Sequence, residues 1–199
     1  MMVLGAPRID PDTRTWTGRH IVPAWVLESN AADAGRAYQW VAGSLFPGIA
    51  HGVLASLAAR VPSGANGAMA YLGPSIANMG SMGAGIGGFL FPLLSGVRPV
   101  EPIDLLKAVF ENVVYAIKGN LGQLEAVSGS PIARVALCGG MTGHGTLEQI
   151  VADVLGREVF VPHTQQTTGL GAAMCAAVGA GIHTKIGRAS CRERVCQYV

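Results

Sequence analysis

Apolar residues recur at three- and four-residue steps through the centre of the chain. This spacing predicts one long helix from 103 to 127, with a shared apolar face formed by Leu106, Phe110, Val113, Ile117, Leu121 and Leu124. Elsewhere the pattern predicts helices over 31–45, 50–60, 144–156 and 168–181. It predicts strands near 24–28, 67–73, 88–94, 133–138 and 158–162, with a glycine-rich loop over 74–88. Strands and helices alternate in the second half, which indicates an α/β or α+β fold with a mixed sheet.

One segment combines a predicted strand, a glycine turn and a helix. The apolar run from Val135 to Cys138 leads into Gly139-Gly140, and the following helix ends at Gly156. Without a Cβ atom, paired glycines let a ligand lie against the backbone. The first amides of the helix favour a polar or anionic ligand. By itself, this pattern is more often a tight turn in an ordinary α/β domain.

The residues that follow make the pattern more specific. A short apolar strand, Val159–Pro162, precedes a helix from Thr167 to Val178 that is built mainly of Gly and Ala. Small residues suit a helix whose backbone packs closely on a sheet or a nucleotide pocket, although its glycines cost stability. This ordered set resembles the end of the C-terminal domain of the FGGY carbohydrate kinases, the group that contains glycerol kinase and xylulokinase.

Two further regions carry the same resemblance. Residues Asp104–Glu111 resemble the second half of the family's downstream signature, whereas the first half departs from it because Gly96-Val97 lies unusually near Asp104. The segment from Trp16 to Leu45 resembles the stretch that follows the family's phosphate-binding hairpin, so the resemblance covers about residues 10 to 184. For Glu111, we favour a helix carboxylate paired with a nearby base over a catalytic role.

The resemblance implies a ribonuclease-H-like fold, as in actin-like ATPases, with a mixed sheet flanked by helices. The chain would be the second domain of a two-domain kinase. We therefore expect residues 1–184 to form an N-terminally truncated, nucleotide-binding FGGY C-terminal domain. Residues 185–199 change composition abruptly and resemble translated adaptor sequence, so we expect a non-native or disordered tail. A genuine basic tail or a Cys191/Cys196 metal site are the alternatives, and the Cys spacing is poor for zinc.

The family transfers the γ-phosphate of ATP, with Mg²⁺, to a hydroxyl of a sugar or polyol, and it holds adenosine with the Gly-Gly turn. That role carries over to residues of one short segment: Gly139, Gly140, Met141, Gly143 and His144. His144 stands where many members have Ser or Asn, and it is equally well read as a solvent-facing residue at a helix N-terminus.

The resemblance places the catalytic aspartate, the sugar contacts and the first phosphate loop before Met1, so no catalytic residue and no Mg²⁺ ligand is identified here. The chain alone is expected to be inactive. One alternative is a non-catalytic, actin-like nucleotide-binding or regulatory module. Another is a glycine-rich membrane or scaffold segment, favoured only by the charge-free run 61–97.

Charge and cysteine content limit the remaining function classes. The net charge is +2, but residues 185–199 hold four bases and one acid, so the rest of the chain has 10 bases, 11 acids and a charge of −1. We therefore expect no nucleic-acid partner and no membrane.

Cys138 and Cys175 lie in apolar surroundings and are expected to be buried thiols in a soluble, cytoplasmic protein. The family resemblance makes a homodimer possible.

Overall fold

The computed structural model describes residues 1–81, 86–93, 98–164 and 166–186, together with the backbone of 196–198. The chain divides into two compact units, Met1–Ala133 and Arg134–Val199. Each unit contains its own strands and helices. The first holds the long central helix, and the second holds the strand, glycine loop and helix that the sequence singles out.

The first unit begins with a three-stranded antiparallel sheet. It contains β1 (Met2–Leu4), β2 (Trp16–Arg19) and β3 (Trp25–Glu28) in the order β1-β3-β2. In the central strand, Leu27 pairs with Met2 on one side and Thr17 on the other, and its side chain is fully buried. The predicted strand near 24–28 is confirmed, whereas the two flanking strands were not predicted.

Three helices of the first unit agree with the predicted ones. They are α1 (Ala34–Leu45), α2 (His51–Ala58) and α3 (Pro102–Ser128). A capping box between Glu101 and Asp104 begins α3, Pro102 occupies its first turn, and Gly129 ends it with a φ of +71°. Four of the six predicted core positions are buried, namely Leu106, Phe110, Val113 and Leu124. The apolar face of α3 therefore forms the core of this unit.

A two-stranded antiparallel ribbon, β4 (Met69–Tyr71) with β5 (Gly88–Leu90), packs along α3 through β4. Short 3-10 turns lie at Ala65–Gly67 and Met79–Ser81. The two predicted strands are confirmed over these shorter ranges. Parts of the predicted loop 74–88 and strand 88–94, residues 82–85 and 94, lie outside the described residues.

A buried amide fixes the segment that follows β4. Asn120 of α3 is 5% exposed, and its Oδ1 accepts a hydrogen bond from the backbone N–H of Ala77 (3.0 Å). Its Nδ2 donates to the carbonyls of Ser75 (2.8 Å) and Ala116 (2.7 Å). Since a buried amide is costly unless its polar atoms are paired, these contacts specify how residues 75–77 lie on α3.

The second unit contains a small mixed sheet. Strand β6 (Val135–Ala136) pairs in parallel with β7 (Val159–Val161), and β8 (Cys196–Tyr198) pairs antiparallel with β7. Helix α4 (Thr146–Leu155) packs against β7, and helix α5 (Thr167–Gly179) follows β7 in the sequence. The predicted α/β character, the mixed sheet and the helices 144–156 and 168–181 are confirmed.

Two expectations about this unit need correction or addition. Cys138 and Cys175 are exposed rather than buried, because Cys138 lies in the loop after β6 and no residue of α5 is buried within this unit. Strand β8 lies inside the range 185–199, for which we expect a non-native or disordered tail. Residues 187–195 and 199 lie outside the described residues, and the non-native origin of the tail stays a prediction.

Candidate functional site

The candidate site lies in the loop that joins β6 to α4, and we call residues 139–145 of this loop the glycine loop. Its first half closes on itself: the backbone N–H of Thr142 donates to the carbonyl of Gly139 (3.1 Å), and the Thr142 hydroxyl donates to the same oxygen (2.8 Å). Thr142 is 2% exposed, so its side chain lies beneath the turn. This double contact fixes the bend directly after the strand.

Positive φ angles explain why the bend requires glycine. Gly139 has a φ of +123°, and Gly143 and Gly145 have φ of +96° and +82°. These angles are strained for residues with a Cβ atom. Gly140 is different, because its φ lies outside the positive range and its backbone is exposed.

The space beside the paired glycines is open. A Cβ atom placed on Gly139 or on Gly140 would meet no heavy atom within 4 Å. The positive φ at position 139 therefore requires glycine, whereas the backbone conformation at position 140 does not. An absent side chain beside open space leaves the backbone accessible to a ligand.

The second half of the loop is held from below by a carboxylate. Glu148 lies in the first turn of α4, its side chain is fully buried, and its Oε1 accepts a hydrogen bond from the backbone N–H of Gly143. A negative charge at this end complements the helix dipole. The residue before the helix, Gly145, contributes no side-chain cap.

The structure places all five predicted contact residues on this one loop. Gly140, Gly143 and His144 are exposed, and Gly139 and Met141 are partly exposed. The bend is therefore accessible rather than packed inside the unit. His144 lies exposed just before α4, which is compatible with both interpretations given above.

The sequence did not predict the two residues that hold the loop, Thr142 within it and Glu148 of α4. Thr142 offered no signal, because its role depends on the folded turn. Glu148 offered one, since an acidic residue at the third position of a helix is typical of a capping interaction. Here it reaches Gly143, two residues before the Gly145 cap position.

In the first unit, Glu111 serves a different role from the one expected. It is 6% exposed, and its Oε1 accepts a hydrogen bond from the backbone N–H of Gly64 (2.9 Å). The expected base is thus replaced by a backbone amide, which ties the segment before β4 to α3. The outcome favours a structural function for this residue.

Asp104 anchors a second segment to the start of α3. Its buried carboxylate accepts hydrogen bonds from Asn66 Nδ2 (2.8 Å), Arg98 Nη1 (2.8 Å) and the backbone N–H of Glu101 (2.9 Å). Burial alone would raise the pKa of Asp104, but the hydrogen bonds and the Arg98 charge outweigh it and hold the pKa below its ordinary value. A cavity of about 540 Å³ borders this cluster, and Arg60 is among its lining residues. Together, Asp104 and Glu111 connect the segments at 64–66 and 98–101 to one helix.

Two further properties of the described residues concern metal binding and membrane spanning. Within 1–81, 86–93, 98–164 and 166–186, no three His, Cys, Asp or Glu side chains are grouped so that they could hold a metal ion. Among the helices in the part of the chain that the structure describes, none has the length and apolar character needed to cross a membrane.

Comparison with known proteins gives consistent matches. The model of the FGGY family of carbohydrate kinases, C-terminal domain, matches residues 10–180. The chain is 30% identical over 191 residues to the autoinducer-2 kinase of Yersinia pestis (strain Pestoides F), covering 90% of this chain and 36% of that protein. The crystal structure of xylulose kinase from Rhodospirillum rubrum superposes with a TM-score of 0.69 at 26% identity, over 96% of this chain and 38% of that one.

A more distant match supports the fold. Plasmodium falciparum glycerol kinase, solved with ADP, gives a TM-score of 0.65 at 16% identity, over 83% of this chain and 32% of that one. The fold is therefore the ribonuclease-H-like fold expected from the sequence. The chain spans about a third of the length of these relatives.

Proposed function

Because the chain belongs to the FGGY family of carbohydrate kinases and matches their C-terminal domain, we propose that it is the nucleotide-binding part of an ATP-dependent kinase. The acceptor of the intact enzyme is a hydroxyl of a sugar or polyol. We assign residues 1–184 to this domain. The observation that carries the proposal is the exposed glycine loop, whose backbone borders open space at Gly139 and Gly140.

The residues of the loop fit an adenosine group. The backbone of Gly139, Gly140 and Met141 would lie against it, since no side chain at the two glycines separates the chain from a flat ligand. Gly143 and His144 would line the side of the loop nearest α4, where the first helix amides favour a polar guest. The carboxylate of Glu148 is fully buried, so it presents no exposed negative charge to the nucleotide.

Phosphoryl transfer depends mainly on positioning and charge neutralisation, and bound Mg²⁺ supplies part of that neutralisation. In our proposal the residues of this chain bind and orient the adenosine end of ATP. The catalytic base, the Mg²⁺ ligands and the acceptor contacts are assigned to the part of the relatives that this chain does not span. The chain by itself therefore binds ATP or ADP without phosphorylating a sugar, and the intact enzyme acts in the cytoplasm, where ATP is available.

Isothermal titration of the 199-residue chain with ADP tests the binding proposal. We expect saturable binding at one site, with GDP as the matched control for adenine recognition. No heat of binding up to millimolar ADP would contradict the proposal. In a coupled assay of ADP release, with xylulose or glycerol as acceptor, we expect no turnover by this chain, and turnover would show that the base and acceptor site lie within it.

A further inference from the structure

Glu148 is an unusual residue to find beneath a loop. Its side chain is fully buried in the second unit, and its Oε1 accepts the hydrogen bond from the backbone N–H of Gly143. Its other oxygen, Oε2, is buried without a hydrogen-bond partner among the described atoms. None of the ion pairs formed by the described residues includes Glu148.

Burial of such a carboxylate opposes folding. A buried polar atom without a partner costs free energy, and a buried carboxylate without a neighbouring cation costs more. Leu147 and Val151 of the same helix are also buried, and an apolar side chain in place of Glu148 would leave no carboxylate oxygen unpaired. The contribution of the carboxylate must therefore lie in what its one hydrogen bond does.

That bond fixes the second half of the glycine loop. Three glycines with positive φ make the segment from Gly139 to Gly145 costly to order, because glycine has more backbone freedom in the unordered state than any other residue. The Thr142 contacts with Gly139 fix the first half. Gly143 is exposed, and its N–H reaches inward to Glu148 rather than outward to water.

We propose that Glu148 is a positioning residue that holds the glycine loop in the shape that receives the nucleotide, at a cost to the stability of the unit. The inference rests on the proposed function. It goes further by assigning ligand affinity to a residue that does not touch the ligand. A loop already ordered before binding loses less entropy when the ligand arrives, so affinity rises without any new contact.

A purely structural role makes a different prediction. If Glu148 served only to stabilise the start of α4, removing its carboxylate would lower stability, as the loss of other helix caps does. If it positions the loop, an apolar residue of similar volume leaves stability unchanged or higher while the loop and its ligand affinity suffer. The two roles therefore separate in the sign of the stability change.

The test compares Glu148→Met and Glu148→Gln in the 199-residue chain. Glu148→Met removes the acceptor and keeps the volume, whereas Glu148→Gln keeps a carbonyl acceptor for Gly143. Three quantities are measured: ADP affinity by calorimetry, hydrogen exchange of the Gly143 amide by NMR, and the melting temperature without ligand.

For Glu148→Met we expect ADP affinity to fall about tenfold, the cost of ordering roughly one more residue. Its Gly143 amide should exchange about tenfold faster, with an unchanged or raised melting temperature. Glu148→Gln should stay within about threefold of the parent in affinity and in exchange, since it restores the acceptor.

Each other outcome overturns the inference in a recognisable way. If the parent binds ADP and Glu148→Met binds it equally well, the inference fails and the proposed function stands. If Glu148→Met is markedly less stable or does not fold, the role is structural. If Glu148→Gln loses as much ADP affinity as Glu148→Met, the acceptor for Gly143 is not what affinity requires, and the inference fails. If the parent itself does not bind ADP, the proposed function fails and the inference falls with it.

Discussion

Adding one methyl group at Gly140 separates ligand binding from folding. The φ of Gly140 lies outside the positive range, and a Cβ atom there meets no heavy atom within 4 Å. The substitution Gly140→Ala is thus compatible with the folded chain. In our account, however, the new methyl occupies the space in which adenosine lies against the backbone.

For Gly140→Ala, we expect stability to rise and ADP affinity to fall. Replacing glycine by alanine at a compatible position stabilises a protein by about 0.4–1 kcal/mol, because it restricts the unfolded chain. The same methyl should weaken ADP binding by about 1.4–2.8 kcal/mol, that is, roughly tenfold to hundredfold, since the base can no longer contact the backbone. By contrast, Gly139→Ala should lose about 1–3 kcal/mol of stability, because its φ of +123° is strained for alanine.

Calorimetric titration with ADP and urea unfolding without ligand give both quantities for each variant. Gly122→Ala is the matched control, since Gly122 is an exposed residue of α3 with open space around its Cβ position. It should leave ADP affinity unchanged. If Gly140→Ala folds normally and binds ADP as tightly as the parent chain, the adenosine does not lie at this bend.

Three further predictions concern the first unit. Asp104→Ala should lower the free energy of unfolding by about 3 kcal/mol in urea denaturation, because three hydrogen bonds to a buried carboxylate are lost. Glu101→Ala changes the exposed member of the capping box and should cost about 1 kcal/mol or less. The pKa of Asp104 is lower in the folded state, so its contribution is full above its unfolded value near 3.8 and is lost as the pH falls through the folded value. Thermal unfolding from pH 5 to 2 should therefore show a smaller loss of stability for Asp104→Asn than for the parent, and equal slopes would refute this assignment. Asn120→Ala should lower the free energy of unfolding by about 2–3 kcal/mol in urea denaturation, because it leaves the buried N–H of Ala77 without its acceptor. A loss under about 0.5 kcal/mol would show that the amide network is dispensable.

Long periodic segments were the part of the fold that the sequence predicted well. The spacing of apolar residues along α3 places its core face almost without ambiguity, and Gly129 marks its end. The flanking strands β1 and β2 were not predicted, because they contain only three and four residues and none of their side chains is buried. Their pairing depends on the central strand β3 between them rather than on a pattern of their own.

At the candidate site, the sequence predicted the loop but not what holds it. Two glycines between a strand and a helix indicate a bend, so the positions of Gly139 and Gly140 followed from the pattern. The contacts of Thr142 and Glu148 depend on φ angles that bring distant atoms of the loop together. The burial expected for Cys175 was wrong because an apolar sequence alone does not show what packs against a helix.

The central claim is that the glycine loop binds adenine nucleotide. The most direct test is an ADP titration of the ¹⁵N-labelled chain, followed residue by residue by NMR. We expect saturable shift changes centred on the amides of Gly139, Gly140 and Met141, with no change at Gly48 in the first unit. Shift changes that avoid the loop, or none at all at millimolar ADP, would contradict it.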